Sequence, residues 1–96
     1  MSPLNKKKLD KLRSKLDILD NELLKLIKKR SNLVNEVLKV KVYKKEIIDH
    51  QRIKLILKKI RKKSLQLKID TKITNRIWKN MIWSFIDYEN RNFKKK

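Results

Sequence analysis

The sequence predicts an all-α fold with one very long helix and two shorter helices. Apolar residues recur at alternating steps of three and four, which is the spacing of one face of an α-helix. Gly is absent and Pro3 is the only proline, so the tight hairpin turns that need positive φ are not available. No segment is typical of a strand, a repeat or an interdomain linker. We therefore expect one helical domain over residues 1–96, with a core from about 9 to 89 and basic tails.

The first helix is predicted from about residue 5 to about residue 43. Its apolar positions are Leu9, Leu12, Leu16, Leu19, Leu23, Leu26, Leu33, Val37 and Val40. At 1.5 Å per residue the helix would be roughly 58 Å long, whereas a compact chain of this size is only about 32 Å across. Because the rest of the chain is too small to cover this helix, its apolar stripe requires a partner, most economically a second copy.

Two shorter helices are predicted after the long one. The segment 43–48 breaks the apolar stripe and is predicted to be a connector, and Asp49 then caps the second helix. The second helix has the apolar face Ile53, Ile56, Leu57 and Ile60. After another break, Asp70 or Thr71 caps the third helix, and residues 92–96 are expected to fray. The third helix has the apolar stripe Ile73, Ile77, Trp78, Met81, Ile82, Phe85 and Ile86.

The composition excludes several classes of functional site. Cys is absent and His50 is the only histidine, which excludes disulfides, thiol nucleophiles and Cys- or His-rich metal centres. The lack of Gly also excludes a Gly-rich phosphate-binding loop. If the protein is an enzyme, we expect it to work by positioning and electrostatics, with no cofactor and no metal.

The chain is strongly basic. Lys and Arg number 29 against 10 Asp and Glu, for a formal net charge of +19. Part of this excess accompanies abundant Ile and Asn, a mixture typical of AT-rich coding sequences, and the remainder predicts attraction to nucleic acid, acidic membrane or a small polyanion. No apolar run approaches the roughly 20 residues that span a bilayer, and no signal-peptide pattern is present. We expect a cytoplasmic protein.

Several charged residues interrupt or adjoin the apolar stripes. Arg30 occupies a position where the first-helix register predicts an apolar residue, and Lys41 lies three turns further along nearly the same line. Arg13 lies one position off that stripe, and Arg52 adjoins the apolar face of the second helix. Glu89 lies on the apolar face of the third helix. Because buried charge is costly unless it is paired, inward-facing cations predict a pocket for an anion.

Each candidate also has a purely structural interpretation. Arg30 at a core position would fix coiled-coil register, and Lys41 would extend to solvent from a helix end. Asp49 would be only an N-cap, and Glu89 would be a surface residue paired with a neighbouring Lys. Phe85 and the other aromatic residues of the third helix fit a core role better than base stacking. The residues alone leave these interpretations open.

The order and spacing of five short segments resemble the all-helical, type II chorismate mutase family. The segments are Leu12-Arg13, Ile18-Leu-Asp-Asn-Glu-Leu-Leu24, Lys29-Arg30, Val37-Leu-Lys-Val-Lys41 and Asp49-His-Gln-Arg52. The resemblance runs from about 9 to 89. It implies an intertwined homodimer of three-helix protomers that rearranges chorismate to prephenate, a step of phenylalanine and tyrosine biosynthesis in the shikimate pathway. The catalysis it implies is electrostatic and conformational.

The resemblance implies that arginine side chains bind the two substrate carboxylates. Arg13 would reach into the active site of the other protomer and bind one carboxylate. Arg30, helped by Arg52, would bind the second carboxylate within its own protomer. The planar guanidinium suits this role because its fork of donors matches a carboxylate. The expected partners are chorismate and a second copy of the chain, with no membrane and no nucleic acid.

The resemblance also implies donors for the ether oxygen of the breaking bond. Lys41 would be one donor, and Glu89, at a position where many relatives have Gln and some have Glu, would be the other. Only a protonated Glu89 can donate a hydrogen bond, because an ionised carboxylate is acceptor-only. Asp49 would contact the hydroxyl region of the substrate.

Two departures from the family pattern favour an alternative reaction. The family usually has Glu directly after the Arg of the second helix, and this chain has Ile53. The frequent Ser of the third helix becomes Phe85, with Ser84 one residue away, so this register also leaves open whether Glu89 or Tyr88 faces the site. Related isochorismate pyruvate-lyases also carry an apolar residue after that Arg and an aromatic in the third helix, which makes salicylate formation the alternative activity.

Two non-enzymatic alternatives remain. A basic helical nucleic-acid-binding protein would explain the net charge of +19. It would not explain why Arg30, Lys41 and Glu89 interrupt apolar stripes. A non-catalytic dimeric coiled coil is the other alternative.

Overall fold

The computed structural model describes residues 2–94, which form three α-helices and one short 3-10 helix. Helix α1 spans Pro3–Val40, α2 spans His50–Gln66 and α3 spans Thr71–Asn92, with the 3-10 turn at Lys44–Glu46 between α1 and α2. No strand occurs in this part of the chain. The predicted all-α class, with one very long and two shorter helices, is confirmed. Within residues 2–94, none of the helices combines the length with the apolar character that a membrane span requires.

Helix α1 ends earlier than the sequence predicts. The N–H of Lys41 still donates to the carbonyl of Val37 at 3.3 Å, but the next N–H, that of Val42, donates to the Glu46 side chain at 2.9 Å. The Val42 N–H therefore binds a carboxylate instead of the backbone carbonyl four residues earlier, and α1 ends at Val40. Lys41 is the first residue after α1, which corrects the expectation that it lies within the first helix.

The chain divides into two compact units, one ending at Leu33 and the other beginning at Val34. The first unit consists of α1 up to that boundary, and its leucine stripe is exposed. Six leucine side chains of this stripe are 54–66% exposed: Leu12, Leu16, Leu19, Leu23, Leu26 and Leu33. A helix with this much apolar surface in water is unfavourable, since burying one Leu side chain is worth about 1.5–3 kcal/mol.

The second unit has a small core of apolar side chains. Ile47, Ile82 and Ile86 are buried, and four partly buried side chains pack against them: Ile53, Ile56, Leu57 and Phe93. The predicted apolar face of α2 therefore packs on α3. The predicted stripe of α3 is only partly covered, because Ile73 and Ile77 remain about half exposed.

The two predicted N-caps are confirmed. Asp49 accepts a hydrogen bond from the N–H of Arg52 at 2.9 Å, and Asp70 accepts one from the N–H of Lys72 at 2.8 Å. Both carboxylates satisfy backbone donors that have no partner within the first helical turn.

The turn between α2 and α3 is held by a helix C-cap and a buried side-chain hydrogen bond. The N–H of Ile69 donates to the carbonyl of Ser64 at 2.8 Å, and the N–H of Lys68 donates to that of Leu65 at 3.2 Å. This is the Schellman pattern, which needs a left-handed residue, and Lys68 takes that role with φ of 57° in a chain without Gly. The hydroxyls of Ser64 and Thr74 lie 2.8 Å apart and join the two helices.

The C-terminal tail is more ordered than the sequence predicts. Asn92 is the last residue of α3, and Phe93 is half-buried and packs against the core of the second unit. The expected fraying is therefore wrong at Asn92 and Phe93, because an aromatic ring that finds an apolar surface is stabilised there. The predicted fraying of residues 95 and 96 falls outside the described residues.

Candidate active site

Lys41 and Glu89 form an ion pair that is shielded from solvent. The Lys41 Nζ lies 3.2 Å from Glu89 Oε1 and 3.4 Å from Oε2, and the side chains are 18% and 7% exposed. Ion pairs elsewhere in the chain include Lys25–Glu22, Lys39–Glu36 and Arg91–Asp87. Their side chains are 63–73% exposed, so they are ordinary surface pairs of small energetic value.

The geometry of this pair follows from the elements that carry it. Glu89 lies on α3, seven residues after Ile82 and three after Ile86, so the helical repeat turns its carboxylate toward the same buried side. Lys41 follows directly after α1, and its Nζ also makes a long hydrogen bond of 3.5 Å to the carbonyl of Ile47. The interpretation of Glu89 as a surface residue is therefore wrong.

A buried ion pair is weak support for stability. Desolvation of both charges offsets their attraction, and apolar replacements of similar volume are often neutral or stabilising. The pair does supply chemistry: an ammonium that donates hydrogen bonds, beside a carboxyl group that accepts when ionised and donates when protonated. An ammonium held out of water is the kind of donor that stabilises developing negative charge.

The start of α2 carries Asp49 and Arg52 beside an open cleft. Both residues are exposed. The cleft has a volume of about 600 Å³ and is lined by Asp49, Gln51, Arg52, Lys54, Leu55 and Lys58. The structural interpretation of Asp49 as an N-cap is confirmed, and a contact between Asp49 and a substrate remains an expectation.

Arg13 and Arg30 lie on the same helix, within the first unit. Arg13 is exposed and Arg30 is half-buried. They are 17 positions apart, which at the α-helical rise separates them by about 25 Å along the axis. One small molecule cannot contact both side chains of the same helix.

Comparison with known proteins identifies the family. A family model described as chorismate mutase type II matches residues 12–90, which is most of the chain. The chain belongs to the type II chorismate mutase family. Its domain is that of an isomerase that converts chorismate to prephenate. No curated protein and no solved structure gives a significant match.

Within this chorismate mutase, the third helix brings Glu89 rather than Tyr88 to Lys41. The Tyr88 hydroxyl instead donates to Oδ1 of Asn35 at 2.8 Å. Ser84 is exposed and donates to the Asn80 carbonyl at 2.7 Å, while Phe85 is half-buried. Of the two candidates on α3, Glu89 therefore lies in the shielded position beside Lys41, whereas Tyr88 binds Asn35.

Two features of the site were not anticipated from the sequence. The carbonyl of Ile47 accepts from Lys41, and no sequence signal marks a backbone acceptor in a connector. Asn35, on α1, accepts a hydrogen bond from Tyr88 on α3, and no feature of the sequence indicates this contact. Ile53, which stands where the family usually has Glu, packs against the core, as predicted for the apolar face of α2.

Proposed function

We propose that this chorismate mutase accelerates the rearrangement by holding the substrate dianion in a folded conformation and stabilising charge on its ether oxygen. The observation that carries the proposal is the shielded pair of Lys41 and Glu89. In the rearrangement the ether C–O bond breaks while a C–C bond forms within the same molecule. The ether oxygen gains negative charge in the transition state, so preorganised donors lower the barrier.

Lys41 and Glu89 are the proposed donors to the ether oxygen. The Lys41 ammonium is a compact charge, and its few exposed atoms leave little water to screen it. Glu89 would donate in its protonated form, because an ionised carboxylate would present lone pairs to an oxygen that is gaining charge.

Arginine side chains are the proposed partners of the substrate carboxylates. Arg30 and Arg52 would act within one protomer, and Arg13 of the partner subunit would complete the site. Asp49 would bind the hydroxyl region, and Phe85 would form an apolar wall. The support is the family resemblance of these positions and the planar fork that matches guanidinium to carboxylate.

We further propose an intertwined homodimer with two shared sites. The exposed leucine stripe of the first unit needs an apolar partner, and a second copy of the same helix offers one. The separation of about 25 Å between Arg13 and Arg30 along one helix also requires that they serve different sites. By family resemblance, this single-domain dimer would act in the cytoplasm, in phenylalanine and tyrosine biosynthesis.

Isochorismate pyruvate-lyase activity is the second candidate. Ile53 packs against the core, so this position offers the substrate hydroxyl no carboxylate, and Phe85 stands where the mutases often have Ser. An apolar residue after Arg52 and an aromatic in the third helix are the two features by which the chain is similar to the lyases.

Product identification tests the two activities directly. Purified protein is offered chorismate or isochorismate in separate reactions, and the products are separated and identified. We expect prephenate from chorismate, at a rate far above the uncatalysed reaction. Salicylate and pyruvate from isochorismate without any prephenate from chorismate would favour the lyase. Steeply salt-dependent binding to duplex DNA, with neither product, would favour a nucleic-acid-binding protein.

The pH dependence of turnover tests the role of Glu89. If the protonated acid donates to the ether oxygen, the kcat of the wild type should rise as pH falls, until the substrate carboxylates are protonated or the protein unfolds. Lys41 is a charged group that faces Glu89, with its Nζ 3.2 Å from Oε1. Glu89→Gln donates at every pH, so it should stay active at neutral and alkaline pH with a flattened profile. Turnover is measured from pH 4.5 to about 9. Superimposable wild-type and variant profiles would exclude Glu89 from the reaction.

A further inference from the structure

The connector between α1 and α2 is closed by one side chain. Glu46 Oε2 accepts a hydrogen bond from the N–H of Val42 at 2.9 Å. Inside this loop, the N–H of Glu46 donates to the Tyr43 carbonyl at 3.0 Å, and that of Ile47 donates to the Lys44 carbonyl at 3.1 Å. The five residues from 42 to 46 therefore form a compact ring rather than an open loop.

The residue after this ring is anchored in the core. Ile47 is 3% exposed and packs with Ile82 and Ile86. Its carbonyl accepts the long hydrogen bond from Lys41 Nζ, so the anchored end of the connector meets the ammonium that Glu89 also binds. The connector therefore begins next to Lys41 and ends at Ile47, whose carbonyl binds the Lys41 ammonium.

We propose that Glu46 is a positioning residue for Lys41, on the basis of the function proposed above. Its carboxylate binds the N–H of Val42, which belongs to the peptide group that follows Lys41. That hydrogen bond sets the orientation of the peptide group where the chain leaves α1. It thereby sets the direction in which the Lys41 side chain leaves the backbone. A hydrogen bond to an ionised carboxylate is among the stronger kinds.

Positioning of this kind affects turnover more than binding. A donor that is displaced by about 1 Å can lose a large factor in rate, because stabilisation of the transition state depends on exact placement. Glu46 is exposed and acts through Val42, so its removal should leave the carboxylate-binding arginines unaffected. The signature of the role is a fall in kcat with little change in KM.

Three variants separate the hydrogen bond from the charge. Glu46→Ala removes the acceptor and should lower kcat about tenfold, with KM changed by less than about twofold. Glu46→Gln keeps an oxygen acceptor without the charge and should retain most of the wild-type kcat. Glu36→Ala is the matched control, since this exposed carboxylate forms only a surface pair of 3.7 Å with Lys39 among the contacts described above. It should leave kcat unchanged.

A double-variant cycle with Lys41→Met tests whether Glu46 acts through Lys41. If it does, Glu46→Ala should lower kcat in the wild-type background and have no further effect in the Lys41→Met background. Unchanged kcat in Glu46→Ala would overturn the proposal, as would equal losses in Glu46→Ala and Glu46→Gln. Multiplicative losses in the cycle would overturn it as well. Lys41→Met with wild-type kcat would instead contradict the proposed function, so the two failures are distinguishable.

A shorter carboxylate keeps the test valid if Glu46→Ala loses its helical circular dichroism spectrum. Glu46→Asp keeps the charge but withdraws the acceptor by one methylene group. It should lower kcat while the protein remains helical. Wild-type kcat in a folded Glu46→Asp protein would overturn the positioning role.

Discussion

Lys41→Met should lower kcat by about 10²–10³-fold, the usual loss when one preorganised donor is removed from a site that stabilises a developing oxyanion. Met is nearly isosteric with the Lys stem, so it fills the space without the charge. Because Lys41 is only 18% exposed and binds Glu89, water cannot replace it at the same position. Steady-state turnover of chorismate, with circular dichroism to check the fold, measures the effect.

The controls for this prediction address net charge and stability. Lys62 is exposed, so Lys62→Met removes the same charge from the surface and should change kcat little. Lys41→Met leaves the Glu89 carboxylate buried without this partner, which costs stability, and the double variant with Glu89→Gln removes that carboxylate. The double variant should melt at a higher temperature than Lys41→Met alone. Equal losses of kcat from Lys41→Met and Lys62→Met would mean that general positive charge, rather than a defined site, promotes the reaction.

A mixture of two inactive variants should recover activity if the sites are shared between protomers. Arg13→Ala and Arg30→Ala each disable both sites of their own homodimer. In a heterodimer of the two, one site has both arginines and the other has neither. Random exchange makes about half of the dimers heterodimers, so activity should recover to about a quarter of the wild-type level. Turnover is measured before and after subunits are exchanged by mild denaturation and refolding.

The matched control for this mixture combines two residues that are proposed to act within one protomer. Arg30→Ala mixed with Lys41→Met leaves every site of the heterodimer with one defect, so no recovery is expected. Heterodimers of Arg13→Ala and Arg30→Ala that are demonstrated by mass spectrometry but remain inactive would contradict shared sites. Recovery in both mixtures would contradict the proposed assignment of Arg30 and Lys41 to the same protomer.

The helices and their starts could be predicted because their signals are local. Apolar residues at steps of three and four report a helix face within one or two turns. Asp49 and Asp70 cap their helices through N–H groups only two or three residues away. The end of α1 was predicted less well, because the Val42 N–H is taken by the side chain of Glu46, and the periodicity of apolar residues carries no sign of that bond.

The candidate site was predicted in its members but not in its contacts. A carboxylate on an apolar face is costly unless paired, which marks Glu89 in the sequence, and the structure gives it a partner 48 positions away in Lys41. The sequence left Tyr88 and Glu89 as alternatives, since neighbouring residues on a helix differ by only 100° in direction. The structure distinguishes the two residues, because the Tyr88 hydroxyl donates a hydrogen bond to Asn35 while Glu89 pairs with Lys41.

The sequence by itself determined the helical class, the N-caps, the apolar stripe of α1 and the basic charge. These properties depend on composition or on residues within a few positions of each other. Only the tertiary structure decided that Ile47 enters the core, that its carbonyl meets Lys41 Nζ, and that Lys41 and Glu89 pair away from solvent. The reason is physical: contacts between distant residues depend on the path of the connector and on the rotation of α3, and a shift of one residue in either would turn these side chains elsewhere.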